Sequence, residues 1–273
     1  MVMMIDACVA QHQGDRKEQQ DRVALLPHPG GGGVALAVVA DGMGGHTGGA
    51  LAAQQVLHTV TANFGRFSTA SEQARELLES SLTEAHVLIK ASRYINEKDP
   101  HSTVVALLLQ PGKVSWAHCG DSRMYFFRGE SLKFRTTDHS YVEELVAKGR
   151  ITPEQAQLHP YHNVLLSTLG SKQPPQIDCD ESADLQAGDT FVLCSDGLWG
   201  YFSDAELGAV VAAHSARQAS DLLINRARER AHGEGDNASL VIIKLLTPPA
   251  AKVKPRKPKV MPFRWLESSA GND

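Results

Sequence analysis

The chain has 273 residues, 42% of them hydrophobic and 21% charged, with a net charge of −4. That length and apolar content allow a full core and exclude disorder across the whole chain, and the acidic balance argues against a dedicated nucleic-acid binder. No apolar run approaches the roughly 18 residues that span a bilayer. The opening Met1-Val2-Met3-Met4-Ile5 meets Asp6 without a basic region or a cleavage site, so a cytoplasmic protein is expected.

In chain order, residues 1–26 read as a strand, a polar turn from Gln13 to Asp21, and a second strand. A Pro/Gly connection leads to an apolar β run, Val34 to Ala40, that stops at Asp41 and a glycine-rich loop. Leu51, Val56, Leu57, Val60 and Phe64 then recur at helical spacing. A second amphipathic helix is expected from about Glu72 to Ser92, with Leu77, Leu78, Leu82, Ala85, Val87 and Leu88 on its buried face. Short strands follow at Thr103 to Leu109, Val114 to His118, Met124 to Phe127 and Leu132 to Phe134, forming a meander of hairpins. The polar stretch from about 136 to 175 carries two capping boxes, Ser140 to Glu143 and Thr152 to Gln155, and reads as a helical flap suited to substrate selection.

After the flap comes a strand from Thr190 to Cys194, which ends at Ser195-Asp196-Gly197-Leu198-Trp199. Two helices open at Ser203 and Ser215, and Ser239 to Leu245 is the last strand. Residues 1–246 thus form one domain. From 247 to 273 prolines alternate with Lys252, Lys254, Arg256, Lys257, Lys259 and Arg264, the composition of a disordered basic tail. Runs of strands between pairs of helices, without βαβ alternation, predict an α+β fold: an antiparallel β-sandwich flanked by helices. No phosphate-binding P-loop or dinucleotide fingerprint is present, which disfavours an ATP or NAD enzyme.

Cys8, Cys119, Cys179 and Cys194 lack any C-x-x-C spacing and read as small buried hydrophobes, with a redox role at Cys119 or Cys194 as the alternative. The acids are more informative. Asp21, Asp41, Asp121, Asp196 and Asp236 each stand where a strand-like run meets a Gly- or Ser-bearing turn. Any one alone would be a turn residue. Five in one local setting, brought to one end of a sandwich, would repel unless cations lay among them, and all-oxygen carboxylate sites select Mg²⁺ or Mn²⁺.

The ordered motifs are Gln13-Gly14-x-Arg16-x-x-x-x-Asp21, Asp41-Gly42-Met43-Gly44-Gly45-His46, Ser102-Thr103-Val104-Val105, Gly120-Asp121-Ser122-Arg123, Asp138-His139-Ser140, Ser195-Asp196-Gly197-Leu198-Trp199 and Gly235-Asp236-Asn237. Together, from Gln13 to about Lys244, they resemble the metal-dependent Ser/Thr protein phosphatases of the PP2C (PPM) family, especially its compact bacterial members. The resemblance implies a four-layer αββα sandwich with a centre of two Mn²⁺ or Mg²⁺ ions. Asp41 would bridge the ions, the Gly42 carbonyl would bind one, and Asp196 and Asp236 would complete a shell. Asp21 would act through water, Asp121 with Asp196 would offer a third-ion site, and Arg16 would grip the substrate phosphate. The implied chemistry is hydrolysis of phosphoserine and phosphothreonine by metal-activated water. Implied partners are phosphorylated proteins made by a Ser/Thr kinase, and a monomer is expected.

The residues agree with that chemistry, because no Cys-x-x-x-x-x-Arg phosphate loop is present. The chain departs from the family pattern at two points. Gln20 stands where many relatives carry glutamate, and Met43 stands where eukaryotic members carry a histidine proposed as general acid. Proton donation would then fall to metal-bound water or to His46, which also reads as an ordinary loop histidine. His118, His139, His159 and His162 receive no specific role. The competing reading is a pseudophosphatase that binds phosphoproteins without turnover, with Gln20 as its lesion.

Overall fold

The computed structural model describes residues 4–44, 47–69, 71–96 and 99–247. His46 and the basic tail beyond 247 lie outside these residues. The elements run β1 (Met4–His12), β2 (Arg22–Pro27), β3 (Ala35–Ala40), β4 (Gly42–Met43), α1 (Thr47–Arg66), α2 (Ala74–Asn96), β5 (His101–Ser102), β6 (Val104–Gln110), β7 (Lys113–Cys119), β8 (Arg123–Arg128), β9 (Ser131–Arg135), α3 (Tyr141–Ala147), α4 (Pro153–Gln157), β10 (Asp178–Ser182), β11 (Asp189–Cys194), α5 (Asp196–Trp199), α6 (Asp204–Ala213), α7 (Ala216–Ala231) and β12 (Ala238–Leu246).

Two five-stranded antiparallel sheets, ordered β1-β12-β11-β8-β9 and β10-β7-β6-β3-β2, face one another, and β4 and β5 form a separate two-stranded ladder. The period of two along each strand divides the core into three slabs. In β3, Ala37 and Val39 point between the sheets with Leu107, Met124, Phe191 and Ile243. Leu36, Val38 and Ala40 point outward beneath α1 and α2, against Val56, Phe64, Leu78 and Leu82. On the far side Val192, Leu240 and Ile242 pack under α6 and α7, against Leu207, Val211 and Leu223. Covered on both faces, β3 is apolar without interruption. The result is the four-layer αββα sandwich. Among the described residues no helix is long and apolar enough to cross a membrane.

Sequence reading misplaces three helix residues. Leu51, Val87 and Leu88 are exposed, at 53%, 57% and 41%. The buried stripe of α2 runs Leu78, Leu82, Ala85, Ile89, an i, i+4, i+7, i+11 series that leaves Val87 and Leu88 on the outer face. Helix entries follow the predicted chemistry: Thr152, Ser203 and Ser215 each open a helix with a full capping box, while Ser140 caps α3 through its hydroxyl alone, accepting from the Glu143 amide.

The slab between the sheets contains an aromatic pair from neighbouring strands β8 and β11 of one sheet. Phe191 is fully buried and stacks on Phe126 with ring centroids 4.8 Å apart. Phe191→Ala is expected to destabilise the fold by about 3–5 kcal/mol, whereas Leu158→Ala, at a residue 88% exposed, should stay within about 0.5 kcal/mol. Urea unfolding of the two variants checks both values.

Candidate metal centre

All five predicted acids reach one end of the sandwich. Asp41 follows β3, Asp121 sits between β7 and β8, Asp196 starts α5 after β11, Asp236 precedes β12, and Asp21 precedes β2. Strand ends on both sheets therefore deliver one acid each. The Asp41 carboxyl lies within hydrogen-bonding reach of both Asp21 and Asp196. Burial pushes the Asp41 carboxyl well above the usual carboxylate range, and the charges of Asp21, Asp196, Asp121 and Asp236 push it further. Asp121 is raised by burial and by Asp196, and Asp196 by burial and by Asp236. Asp21 is raised to about 7, first by burial, although the hydrogen bond from the Ser195 hydroxyl opposes the shift.

Asp41, Asp121 and Asp196 open onto a cleft of about 320 Å³, walled by Met43, His101, Asn163, Leu165 and Thr168. Asp21 lies behind this floor and is fully buried. Its Oδ2 accepts from Ser195 Oγ at 2.8 Å, and its Oδ1 is buried without a hydrogen-bond partner. Gly42 is buried against the first turn of α1: a Cβ there would lie 2.0 Å from the Gly49 carbonyl oxygen, so only glycine permits this approach. Asp236 stands to one side, where its Oδ2 accepts from Arg16 Nη2 at 2.5 Å and its Oδ1 from the Asn237 amide at 2.7 Å. Arg16 is 62% exposed at the rim.

Several residues that organise this end stand in the ordered motifs without an assigned role, and Asp15 stands in none. Asn237 donates through Nδ2 to the carbonyls of Gln13 and Glu18 and accepts from the Gln20 amide through Oδ1, tying the Arg16 loop to the Asp236 loop. Asp15 closes the same joint, accepting from the Gly235 amide at 2.7 Å. Ser195 is the N-cap of α5 yet gives its hydroxyl to Asp21 instead of the helix. The Asp41 carbonyl accepts from the Thr103 amide and the Ser102 hydroxyl, at 2.9 and 3.0 Å. Arg123 forms a two-bond pair with Asp138, at 2.8 and 2.7 Å, and its guanidinium lies 3.4 Å above the Trp199 ring. Trp199 in turn donates to the Asp121 carbonyl at 2.9 Å.

His118 and His139, unassigned by sequence, stack at 4.6 Å beside Asp178. The Gly120 amide donates to His139 Nδ1 at 3.2 Å, which places that ring's proton on Nε2, 3.3 Å from the Asp178 carboxylate. His118 Nε2 donates to the Thr137 carbonyl. The trio therefore supports Gly120, the residue before Asp121. Burial and the His118 ring hold the His139 imidazole below its ordinary range. The cysteines are all free, and burial pushes Cys119 up to about 12 and Cys194 higher, which makes both poor thiolates at neutral pH.

The family model described as protein phosphatase 2C matches residues 10–231. The chain belongs to the protein phosphatase 2C family. It is 32% identical to the protein phosphatase PhpP of Streptococcus pneumoniae over 184 residues, which cover 66% of this chain and 73% of that protein. It is 29% identical to the serine/threonine phosphatase stp of Listeria innocua, over 76% of this chain and 83% of the relative. Among solved structures, the Streptococcus agalactiae serine/threonine phosphatase superposes with a TM-score of 0.80 at 27% identity, covering 88% of this chain and 99% of the other. The catalytic domain of the phosphatase PstP in complex with two manganese ions gives a TM-score of 0.76 at 26% identity, over 90% of this chain and 100% of that domain.

The 2C phosphatases are metal-dependent, and the residues of this chain fit a hard divalent cation. The donors that converge are all oxygens, their charges repel one another at Asp41, and one buried carboxylate oxygen lacks a donor. This has a thermodynamic consequence for cation-free protein. Asp21 keeps its proton to about 7 in the folded state but releases it near 3.8 when unfolded, so between those pH values the folded form binds more protons. Its contribution to stability is complete at the acid end and is lost as pH rises toward 7. Urea midpoints of cation-free protein, taken as the difference from Asp21→Asn across this window, should fall with rising pH. A difference that rises would contradict the assignment.

Proposed function

We propose that this protein phosphatase hydrolyses phosphoserine and phosphothreonine in proteins at a centre of two Mn²⁺ or Mg²⁺ ions. The carrying observation is the convergence of Asp21, Asp41, Asp121, Asp196 and Asp236, with burial and mutual repulsion raising four of these carboxyls. Asp41, Asp196, Asp236 and the Gly42 carbonyl would hold the ions, Asp21 would act through water, and Asp121 with Asp196 would offer a third position. When bound, such ions neutralise phosphate charge and lower the pKa of water toward about 7.

The chain's own residues supply the rest. Asp41 and Asp196 fix charge at the cleft floor because their backbones end buried strands. Arg16, held at the rim through the Asn237 and Asp15 joints, presents a planar fork of N–H donors suited to two phosphate oxygens. Its present partner is Asp236. With Asp236 engaged as a metal ligand, that guanidinium would be free to take the substrate phosphate. The cleft wall from the flap, Asn163, Leu165 and Thr168, excludes bulk water from one side of the phosphoresidue. Phosphorylated products of a Ser/Thr kinase are the substrates, and the chain acts as a monomer.

A phosphothreonine peptide should be hydrolysed only with Mn²⁺ or Mg²⁺ present. Asp41→Asn or Asp196→Asn should abolish turnover, and Arg16→Ala should raise KM for the peptide. Cation binding without turnover would instead favour the non-hydrolysing phosphoprotein binder, for which Gln20 is the motivating residue. We also place the 247–273 tail outside the folded unit: truncation after Thr247 should leave aryl phosphate turnover unchanged, and a collapse in that rate would put the tail inside it.

A further inference from the structure

The wall of the cleft is pinned to α2 by three basic side chains on one helical face. His86, Lys90 and Arg93 recur at i, i+4 and i+7, and each reaches a different part of the wall. The Gly170 amide donates to His86 Nδ1 at 3.1 Å, and Lys90 Nζ donates to the Lys172 carbonyl at 3.0 Å. Burial, and then the charges of Lys90 and Arg93, hold the His86 imidazole below its ordinary range, which keeps it a neutral acceptor. Arg93 reaches His101, with Nη2 lying 2.9 Å from Nε2.

This third contact fixes the direction of the hydrogen bonds beyond it. A guanidinium donates and cannot accept, so His101 Nε2 is the acceptor and the single proton of the ring lies on Nδ1. That nitrogen is 3.1 Å from Thr168 Oγ1, so the N–H donates and the hydroxyl oxygen accepts. Asp99, paired with Arg93, anchors the guanidinium at the start of the row. The Thr168 hydroxyl keeps its own proton, which has no acceptor among the described residues. Thr168 is buried, yet it lines the same cleft as Asp41, Asp121 and Asp196. The two residues are held in register because their neighbours Ser102 and Leu169 exchange backbone hydrogen bonds at 3.1 and 2.9 Å.

We propose that Arg93, His101 and Thr168 form an aligned row of donors whose last member, the Thr168 hydroxyl, binds an oxygen of the substrate phosphate. No proton is transferred. Every N–H and O–H of the row points the same way, from a permanent positive charge toward the cleft, and donors linked in this sense polarise one another. A donor so polarised is matched best by a charged acceptor, and the charged acceptor that enters this cleft is the phosphate. A backbone carbonyl of the substrate is the weaker match. Thr168 touches the substrate, and His101 and Arg93 are positioning residues that act through it. The inference rests on the hydrolysis proposed above and adds to it a phosphate ligand on the wall, separate from Arg16 at the rim.

Inorganic phosphate is the probe for this row. In Mg²⁺-loaded full-length protein, Thr168→Val keeps the side-chain shape and removes the hydroxyl. It should weaken phosphate binding in a calorimetric titration by about 10-fold or more, the usual effect of losing a hydrogen bond to a charged group. It should also lower kcat/KM by a similar factor on both p-nitrophenyl phosphate and a phosphothreonine peptide. Thr168→Ser should restore both quantities. His101→Asn, whose amide N–H takes the place of Nδ1–H, should bind phosphate more tightly than His101→Leu, which leaves the hydroxyl unoriented. Thermal unfolding of each variant reports whether the fold is retained. Unchanged phosphate affinity in folded Thr168→Val, a loss confined to the peptide, or no recovery in Thr168→Ser overturns the row and leaves the hydrolase reading standing. Should Thr168→Val not fold, equal phosphate affinities of the two His101 variants overturn it. An unsubstituted chain that hydrolyses neither ester overturns the hydrolase reading, and the phosphate affinities then decide the row by themselves.

Discussion

Mutual repulsion among carboxylates that share a desolvated end of the sandwich is the constraint from which the rest of the architecture follows. Asp41 feels Asp21, Asp196, Asp121 and Asp236 at once, and burial is the largest of the effects acting on it. A fold does not gather such a group for stability, since each buried uncompensated charge is unfavourable. The gathering is tolerated because the acids are not free to separate. Asp41 directly follows, and Asp196 follows after one residue, a strand whose outer and inner faces are both packed. Retreat of either acid would expose core, so the strain is relieved by protons or by cations instead.

What positions the acids is largely neutral and local. Asn237 uses both ends of its amide to hold three backbone groups of the Arg16 loop, and Gly14 makes the approach possible: with φ of +65°, a Cβ there would meet the Asp236 carbonyl oxygen at 2.2 Å. On the opposite side Arg123, Asp138 and Trp199 form a stacked support that ends on the Asp121 carbonyl. Arg123 is raised further above its ordinary range by Asp138 and Tyr125 despite burial, so this guanidinium stays charged whatever happens on the floor. The floor is therefore framed by contacts that do not titrate with it.

The acids were legible in the sequence because they repeat one context, an apolar run ending at Asp beside Gly or Ser, and repetition outweighs the weakness of each instance. The sandwich was legible for the same reason that β3 is apolar throughout and β6 apolar up to Gln110: strands covered on both faces leave no polar alternation to misread. Other features were not legible. β4 and β5 have two residues each and no period. β10 reads Asp-Cys-Asp-Glu-Ser because it is an edge strand facing water. α5 is four residues that look like a turn. Asp15 is an ordinary turn residue, and Asn237 a motif residue without a role, until the loops that carry them, more than two hundred positions apart, are brought together. His101 and Thr168 stand 67 positions apart and share no motif.

The cleft therefore has two parts with different mechanical ties. Its floor belongs to strand ends anchored in the three core slabs. Its wall belongs to β5 and to the segment that closes the flap, joined by the exchange between Ser102 and Leu169 and by a second bridge, Ser140 to Leu165, at the flap's entry. Thr168 sits at the junction, close enough to the core to be buried yet within reach of the flap. The exposed flap residues Leu158, Tyr161 and Leu166 belong to the segment of the wall and not to the floor. Floor and wall are thus separable in this fold, because they hang from different elements, strand ends below and the flap segment above.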